Sequence, residues 1–140
     1  MSPDNSPLWP ATVAAAILRR GASVHALSLA MTVIGCIAAV TLTAAAAWLP
    51  VCLAVVAIGV AELWLAARVA IDAELFTAIA ADGRLDRFDC AMLELGLMPE
   101  NKVGRSLASR IRAALRLLKM QASMVLLQIG ALLGGAVCAA

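Results

Sequence analysis

The chain has 140 residues, of which 64% are hydrophobic and 14% are charged, and its net charge is +2. A soluble domain is about half apolar and about a quarter charged, so this composition excludes an ordinary water-soluble domain and a disordered chain. The length excludes a multidomain enzyme.

The N-terminal part contains a short apolar segment, residues 8–20, that ends in a pair of arginines. The segment is too short to cross a bilayer. Trp9 suits a membrane interface, Pro10 is typical of a first helical turn, and Gly21 is typical of a helix end. We therefore expect a short amphipathic helix lying along the inner leaflet, with a frayed tail as the alternative.

Three long apolar segments follow. Residues 26–49 and 120–140 contain no charged side chain, and residues 51–71 contain only Glu62 and Arg68. A helix of about 20 apolar residues crosses a hydrocarbon core of about 30 Å. Because a helix satisfies its own backbone hydrogen bonds in lipid, the three segments predict three transmembrane helices.

The link between the first two predicted spans is very short and consists of Trp48, Leu49 and Pro50. A link of this length forces neighbouring helices to run antiparallel. We therefore expect a tight helical hairpin over residues 26–71, with Trp48 at the depth of the membrane interface.

The positive charges indicate an orientation. All 11 Lys and Arg residues fall on one side of the three predicted spans. Because positively charged loops stay in the cytoplasm, we expect a multi-pass protein of the cell (inner) membrane. Its N-terminus would be cytoplasmic and its C-terminus outside.

Residues 72–119 carry almost all of the charge and are predicted to form cytoplasmic amphipathic helices, which together make a stalk. The second span should continue to Asp82 before a glycine ends it. A separate helix is expected over residues 85–95, ending at Gly96. A last helix should begin at Val103 and continue without a break into the third span.

The charges of this segment form two stripes. An acidic stripe of Asp82, Asp86 and Asp89 should face a basic stripe on the following helix. The basic stripe consists of Arg105, Arg112, Arg116 and Lys119. The stripes could pair with each other, or the basic one could contact anionic lipid headgroups or a partner protein. Nucleic acid is disfavoured because the charges of this segment nearly balance and aromatic residues are few.

Glu62 is the most unusual residue in the predicted spans because it lies close to the membrane midplane, where a charged carboxylate costs several kcal/mol. Counting depth from the span ends places Gln128 at nearly the same level, which predicts a hydrogen bond between the two, within one chain or between two copies of it. Glu62 could act as a neutral carboxyl group that holds helices together by hydrogen bonds, or as a protonatable site in a pore. Arg68 should extend to the headgroups or pair with Asp72.

The third predicted span contains glycines at a spacing that favours close helix packing. Gly130 and Gly134 form a small-xxx-small pattern, which could serve self-association or packing within the chain. Cys52 and Cys138 are both expected near the outer face, where a disulfide is possible, although buried cysteines usually act as small apolar residues.

Signatures of catalysis are missing from the sequence. The single histidine, His25, lies at the start of the first span, where an interfacial position is expected. No common nucleophile, metal-protease or nucleotide-binding motif occurs, so we expect neither catalytic residues, metal ligands nor a cofactor.

These observations predict an all-α integral membrane protein with three transmembrane helices and a short N-terminal interfacial helix. The expected function is that of a non-enzymatic subunit or scaffold, in contact with the lipid bilayer and with itself or a larger membrane protein. The alternative is a small homo-oligomeric ion or proton pore with Glu62 in its lumen. The predicted divisions are an N-terminal segment (residues 1–25), a transmembrane hairpin (26–71), a cytoplasmic helical region (72–119) and a third span (120–140).

Overall fold

The computed structural model describes residues 9–41, 48–99, 101 and 103–139. Residues 137–139 are described by their backbone alone. The described residues form five helices and no strand. The helices are α1 (Trp9–Arg19), α2 (Gly21–Thr41), α3 (Trp48–Asp82), α4 (Leu85–Glu94) and α5 (Leu107–Ala139).

Three helical stretches are long and apolar enough to span a membrane. They are Trp9–Thr41, which combines α1 and α2, Trp48–Asp82, and Leu107–Ala136. The prediction of an all-α protein with three candidate transmembrane helices is therefore confirmed. At 35 residues, α3 is about 50 Å long and extends well beyond the thickness of a hydrocarbon core.

Helix α1 packs against protein along its apolar face. Its buried residues are Ala11, Ala14, Ala15 and Leu18. They join Val69, Ala73, Phe76 and Ile79 of α3 and Ala114 of α5 in one core cluster. The small alanine side chains allow the helices to approach closely. The expected surface helix would offer this face to lipid, whereas in the structure α3 and α5 cover it. The alternative of a frayed tail is wrong for residues 9–19.

Helix α3 begins earlier than the sequence predicts. The expected link of Trp48, Leu49 and Pro50 is instead the first turn of α3. Proline is favourable there because the first turn leaves its backbone N–H groups without intrahelical partners. The connection from α2 falls in residues 42–47, which lie outside the described residues.

Helices α2 and α3 pack side by side in opposite directions. Gly35 of α2 faces Val55 of α3, and Thr32 faces Gly59. Further along, His25 of α2 contacts Glu62 of α3. Residue numbers thus rise on one helix as they fall on the other.

The ends of α3 and α4 lie where the sequence predicts them. Helix α3 ends at Asp82. Helix α4 ends at Glu94, and Gly96 follows with φ +65°. The Gly96 N–H donates to the Leu93 carbonyl at 2.9 Å, and the Leu97 N–H donates to the Met92 carbonyl at 3.0 Å. These two bonds form a Schellman motif, which glycine favours because it adopts positive φ without strain.

Helix α5 begins at Leu107, not at the predicted Val103. Gly104 has φ +74°, which interrupts any helix at that position. The Ser106 side chain accepts a hydrogen bond from the Ser109 N–H at 3.3 Å and so caps the new helix. From Leu107 the helix continues unbroken into the third candidate span, as predicted.

The bundle has two regions, which are named here by composition. The apolar part consists of α2 with residues 48–71 and 120–139. The charged end consists of α1, α4 and residues 72–82 and 107–119. Helix α3 packs against α1, α2 and α5, and it therefore forms the spine of both regions.

Candidate functional site

Glu62 lies inside the three-helix bundle and is only 1% exposed. The Gln121 side chain of α5 donates a hydrogen bond from Nε2 to Glu62 Oε1 at 2.8 Å. His25 Nδ1 of α2 lies 2.9 Å from Glu62 Oε2. Each carboxylate oxygen thus has a partner from a different helix. We refer to His25, Glu62 and Gln121 as the Glu62 cluster.

Gln121 extends this cluster to the start of α2. Its Nε2 also donates to the Gly21 carbonyl at 3.0 Å. A Cβ at Gly21 would come within 3.0 Å of Gln121 Oε1, so glycine makes room for the amide. Oε1 is buried and accepts no hydrogen bond from the described residues. A buried acceptor without a donor is costly, typically by about 1–3 kcal/mol.

The predicted hydrogen bond between Glu62 and Gln128 is wrong within this chain. Gln128 lies two helical turns beyond Gln121 on α5, in a separate group of polar residues. Its Oε1 accepts from the Ser28 hydroxyl at 2.8 Å. Its Nε2 donates to Thr32 Oγ1 at 3.0 Å and to the Val55 carbonyl at 3.1 Å. We refer to Ser28, Thr32 and Gln128 as the Gln128 cluster.

Gly59 provides the space for the Gln128 cluster. A Cβ at this position would collide with Thr32 Oγ1 and come within 3.0 Å of Gln128 Nε2. The missing side chain thus allows α2 and α5 to exchange hydrogen bonds across the face of α3. The two clusters stand in a row along the inside of the bundle and join all three candidate spans.

His25 is the member of the site that sequence reasoning missed, because its position at the start of a span suggested an interfacial role. The sequence does contain a feature that could have linked His25 to Glu62. His25 is the only histidine in the sequence, and Glu62 is the only acidic residue in residues 26–71. The His25 side chain is 30% exposed, whereas that of Glu62 is 1% exposed. The histidine therefore connects the buried carboxylate with the outside of the bundle.

A cavity of about 360 Å³ lies beside His25, between the α1–α2 stretch and α3. Leu18, Leu63 and Val69 contribute to its largely apolar lining. Arg19 and Glu74, which also line it, form an exposed ion pair at 3.6 Å. The cavity therefore combines apolar walls with a few polar groups, as small-molecule sites do.

Arg68 forms no ion pair with Asp72 in the structure. Its guanidinium group lies instead over the ring of Trp64, 5.3 Å from the ring centre. Both side chains are exposed on the outside of α3. Cation–π contacts of this kind contribute about 0.5–1 kcal/mol at exposed sites.

At the charged end, Asp89 of α4 is a second buried carboxylate, 4% exposed. Its Oδ2 accepts hydrogen bonds from Arg110 Nη2 at 2.8 Å and from the Gly104 N–H at 2.9 Å. Arg110 Nη2 also lies 2.7 Å from Oδ1, and the guanidinium carbon lies 5.8 Å from the centre of the Phe88 ring. Asp89 therefore ties α4, the α4–α5 connection and α5 together.

The rest of the predicted acidic stripe pairs locally. Asp86 accepts from Arg84 at 2.9 Å, and Asp82 lies 3.6 Å from Arg87. The hydrogen bond from Arg84 lowers the pKa of Asp86 below its ordinary value of 3.8. The acidic and basic stripes therefore do not pair as predicted, since only Asp89 bonds to α5, and it bonds to Arg110, which is not a member of the basic stripe.

The basic stripe is free of intramolecular ion pairs among the described residues. All four of its members are exposed. None has a carboxylate partner within the described part of the chain. The members of this stripe are Arg105, Arg112, Arg116 and Lys119.

The glycine pattern of the third span faces away from the bundle. A Cβ at Gly130 or Gly134 would meet no other group within 4 Å. Gly135, in contrast, packs against Trp48 and Val51. Cys52 is buried, and no other cysteine side chain of the described residues is bonded to it. The alternative of a disulfide to Cys138 falls outside the described residues, because the Cys138 side chain is not among them.

Within the described residues, no group of three or more His, Cys, Asp or Glu side chains could hold a metal ion. The site offers hydrogen-bonding groups from three helices, at His25, Glu62 and Gln121. No family model, no curated protein and no solved structure matches this chain.

Proposed function

We propose that the protein is a non-enzymatic subunit or scaffold of an oligomeric membrane complex, and that its charged end is the contact surface. Its three candidate spans would anchor it in the cell (inner) membrane, with the charged end in the cytoplasm and the C-terminus outside. This orientation rests on the one-sided distribution of Lys and Arg.

The observation that carries the proposal is the exposure of large apolar side chains at the charged end. One such residue lies near the end of α4 and three lie in the α4–α5 connection, where the surrounding charges favour water over lipid. They are Leu93 at 38%, Leu95 at 70%, Leu97 at 67% and Val103 at 47% exposed. We call these four residues the apolar rim. Exposed apolar residues inside a polar surface are typical of protein contacts.

The Asp89 contacts support this role because they hold one end of the apolar rim. Gly104, whose backbone N–H donates to Asp89, directly follows Val103. A preorganised surface loses less conformational entropy on binding. The contact thus fixes the backbone next to Val103.

The basic stripe supports a second contact at the same end, with anionic lipid headgroups. Lys119 and Arg116 lie within the last turn before the apolar run that starts at Met120. Each Lys or Arg near an anionic membrane surface contributes about 1 kcal/mol. Lipid contact would orient the charged end, while the apolar rim would remain available for protein.

The outward-facing Gly130 and Gly134 support association within the membrane. A small-residue face allows a helix of another chain to approach closely. Since no side chain of the described residues covers these glycines, a second copy or a larger membrane protein could pack there.

In-cell photo-crosslinking from two equally exposed leucines tests the proposed contact surface. A photoreactive residue at Leu97 in the apolar rim should give one discrete protein adduct. The same residue at Leu126, which is 70% exposed in the apolar part, provides the matched lipid-facing control. Native mass spectrometry of the complex in nanodiscs then gives its stoichiometry.

The proposal requires that the Leu97 adduct disappear when Leu95 is changed to Asp and persist when Ala113, which is exposed at the charged end, is changed to Asp. Absence of a protein adduct at Leu97, together with a monomeric mass, would overturn the subunit role. A ring of four or more identical chains would instead support the alternative of a homo-oligomeric pore.

That alternative places Glu62 in a pore lumen. It receives less support, because a lumen between copies needs the carboxylate on an outer face of the protomer, whereas Glu62 is 1% exposed among the helices of its own chain. Ion-flux measurements on liposomes with Glu62→Gln distinguish the two functions. Pore activity that depends on Glu62 would favour the alternative.

A further inference from the structure

The cavity beside His25 has no role in the proposed contact surface, since it lies between α1–α2 and α3 and no residue of the apolar rim lines it. We propose that it binds an uncharged amphiphile that carries a hydroxyl group. The hydroxyl would bond to the imidazole of His25, and the apolar body would lie against the alanine and leucine walls. This inference is independent of the scaffold role.

The imidazole is held in place by a buried carboxylate. Glu62 Oε2 lies 2.9 Å from Nδ1, so Nε2 is the ring nitrogen left for a ligand. Gln121 in turn holds Glu62 Oε1 at 2.8 Å. A carboxylate that engages one nitrogen of a histidine fixes the ring orientation, which prepares the other nitrogen for binding.

A hydroxyl group matches this nitrogen in either protonation state of the ring. Nε2 accepts a hydrogen bond when the neutral ring carries its proton on Nδ1, and it donates when the ring is charged. A hydroxyl can donate and accept, whereas an ether oxygen can only accept. A neutral head group also avoids adding charge close to Glu62, which is 1% exposed.

The size and position of the cavity favour a membrane-dissolved ligand. Its volume of about 360 Å³ corresponds to about a dozen water-sized groups. Its walls include Ala66, Ala70 and Leu63, which belong to a candidate span, and Arg19 and Glu74 line it as well. An amphiphile can place its hydroxyl beside His25 and its chain against the apolar walls of the cavity.

Nitrogen-15 NMR can observe this site alone because His25 is the only histidine in the sequence. The full chain, labelled with ¹⁵N-histidine, is placed in nanodiscs of zwitterionic lipid. It is titrated with 1-decanol, which has about the size of the cavity, and separately with undecane, which has the same number of non-hydrogen atoms. We expect a saturable shift of the His25 ring nitrogens with 1-decanol and none with undecane.

Two leucine substitutions on α3 provide the structural control. Ala66→Leu fills the cavity without changing the Glu62 cluster, and it should abolish the 1-decanol response. Ala61→Leu adds the same side chain at an exposed position that does not line the cavity, and it should leave the response intact.

A response that does not saturate, that undecane reproduces, or that Ala66→Leu leaves unchanged would overturn the proposal, since each indicates a general effect of the bilayer. An unshifted spectrum of the unmodified chain would overturn it as well. The comparison of 1-decanol with undecane needs no variant, so it tests the requirement for a hydroxyl group even if Ala66→Leu fails to fold.

Discussion

Two carboxylates are buried among the described residues, Glu62 in the apolar part and Asp89 at the charged end, and different kinds of partner stabilise them. Glu62 has a glutamine amide and a histidine ring as partners. Asp89 has an arginine and a backbone N–H. The difference reflects the surroundings. Removing a permanently charged arginine from water costs more free energy inside an apolar bundle than at the charged end, where its side chain borders water.

The two sites also differ in the distance along the chain that they connect. Glu62 is 37 residues from His25 and 59 from Gln121, so its bonds join three separate helices. Asp89 is 21 residues from Arg110 and 15 from Gly104, so its bonds fold one local connection. Loss of Asp89 should therefore loosen the charged end alone, whereas loss of Glu62 should weaken the whole bundle.

The largest expected effect follows from Asp89→Ala. Removing one partner of a buried ion pair typically costs about 3–5 kcal/mol, and Arg110 would be left without its carboxylate. We expect a loss of about 3 kcal/mol, confined to α4 and the α4–α5 connection. Hydrogen exchange in nanodiscs should rise in these segments and stay unchanged in α2 and in residues 48–71 of α3.

Glu94→Ala is the matched control for this prediction, because Glu94 lies on the same helix and is exposed. It should leave hydrogen exchange unchanged. Unchanged protection of the α4–α5 connection in Asp89→Ala would contradict the role given to Asp89, and increased exchange throughout the bundle would contradict its local character.

Glu62→Leu should have the next largest effect, on the unfolding of the bundle as a whole. Gln121 and His25 would both lose their partner, at an expected cost of about 2 kcal/mol. Glu62→Gln keeps hydrogen-bonding capacity at the same position and should cost less than about 1 kcal/mol. The free energy of unfolding, measured by steric trapping in bicelles, distinguishes the variants, and equal losses would argue against a hydrogen-bonding role.

The sequence predicts the helices of this fold better than it predicts the contacts between them. The ends of α3 at Asp82 and of α4 before Gly96 depend on nearby glycines, which act locally. The partner of Glu62 depends on how far α5 is shifted along α3. Counting from the span ends selected Gln128, whereas the structure places Gln121 there, two turns earlier. Apolar runs do not define this shift, because their ends do not mark a common depth.

The role of α1 was missed for a related reason. Its alanine-rich face predicts burial against something apolar, but the sequence does not distinguish a lipid surface from another helix. The parts of α3 and α5 that extend beyond the predicted apolar spans, residues 72–82 and 107–119, provide a protein surface for α1 to cover. His25 then enters the bundle because α1 and α2 continue along α3 in one direction.

Gly59→Ala should disturb the Gln128 cluster by a smaller amount. The added methyl group would collide with Thr32 and crowd Gln128, and we expect a cost of about 1 kcal/mol, at the lower end of the range for overpacking. Gly130→Ala is the matched control on α5, since a Cβ there meets open space. Thermal unfolding in detergent should show a lower midpoint for Gly59→Ala and no decrease for Gly130→Ala. A similar decrease in both would indicate a general effect of replacing glycine.

The smallest expected effect concerns Asp86, whose carboxylate pairs with Arg84 in full contact with water. Because the pKa of Asp86 is lowered in the folded protein, the pair contributes stability above the ordinary value of 3.8 and loses it as the pH falls through the lower folded value. Solvent screens this pair, so Asp86→Asn should leave the unfolding midpoint unchanged at pH 7. A decrease as large as that of Asp89→Ala, measured under the same conditions, would show that burial does not account for the difference between the two carboxylates of α4.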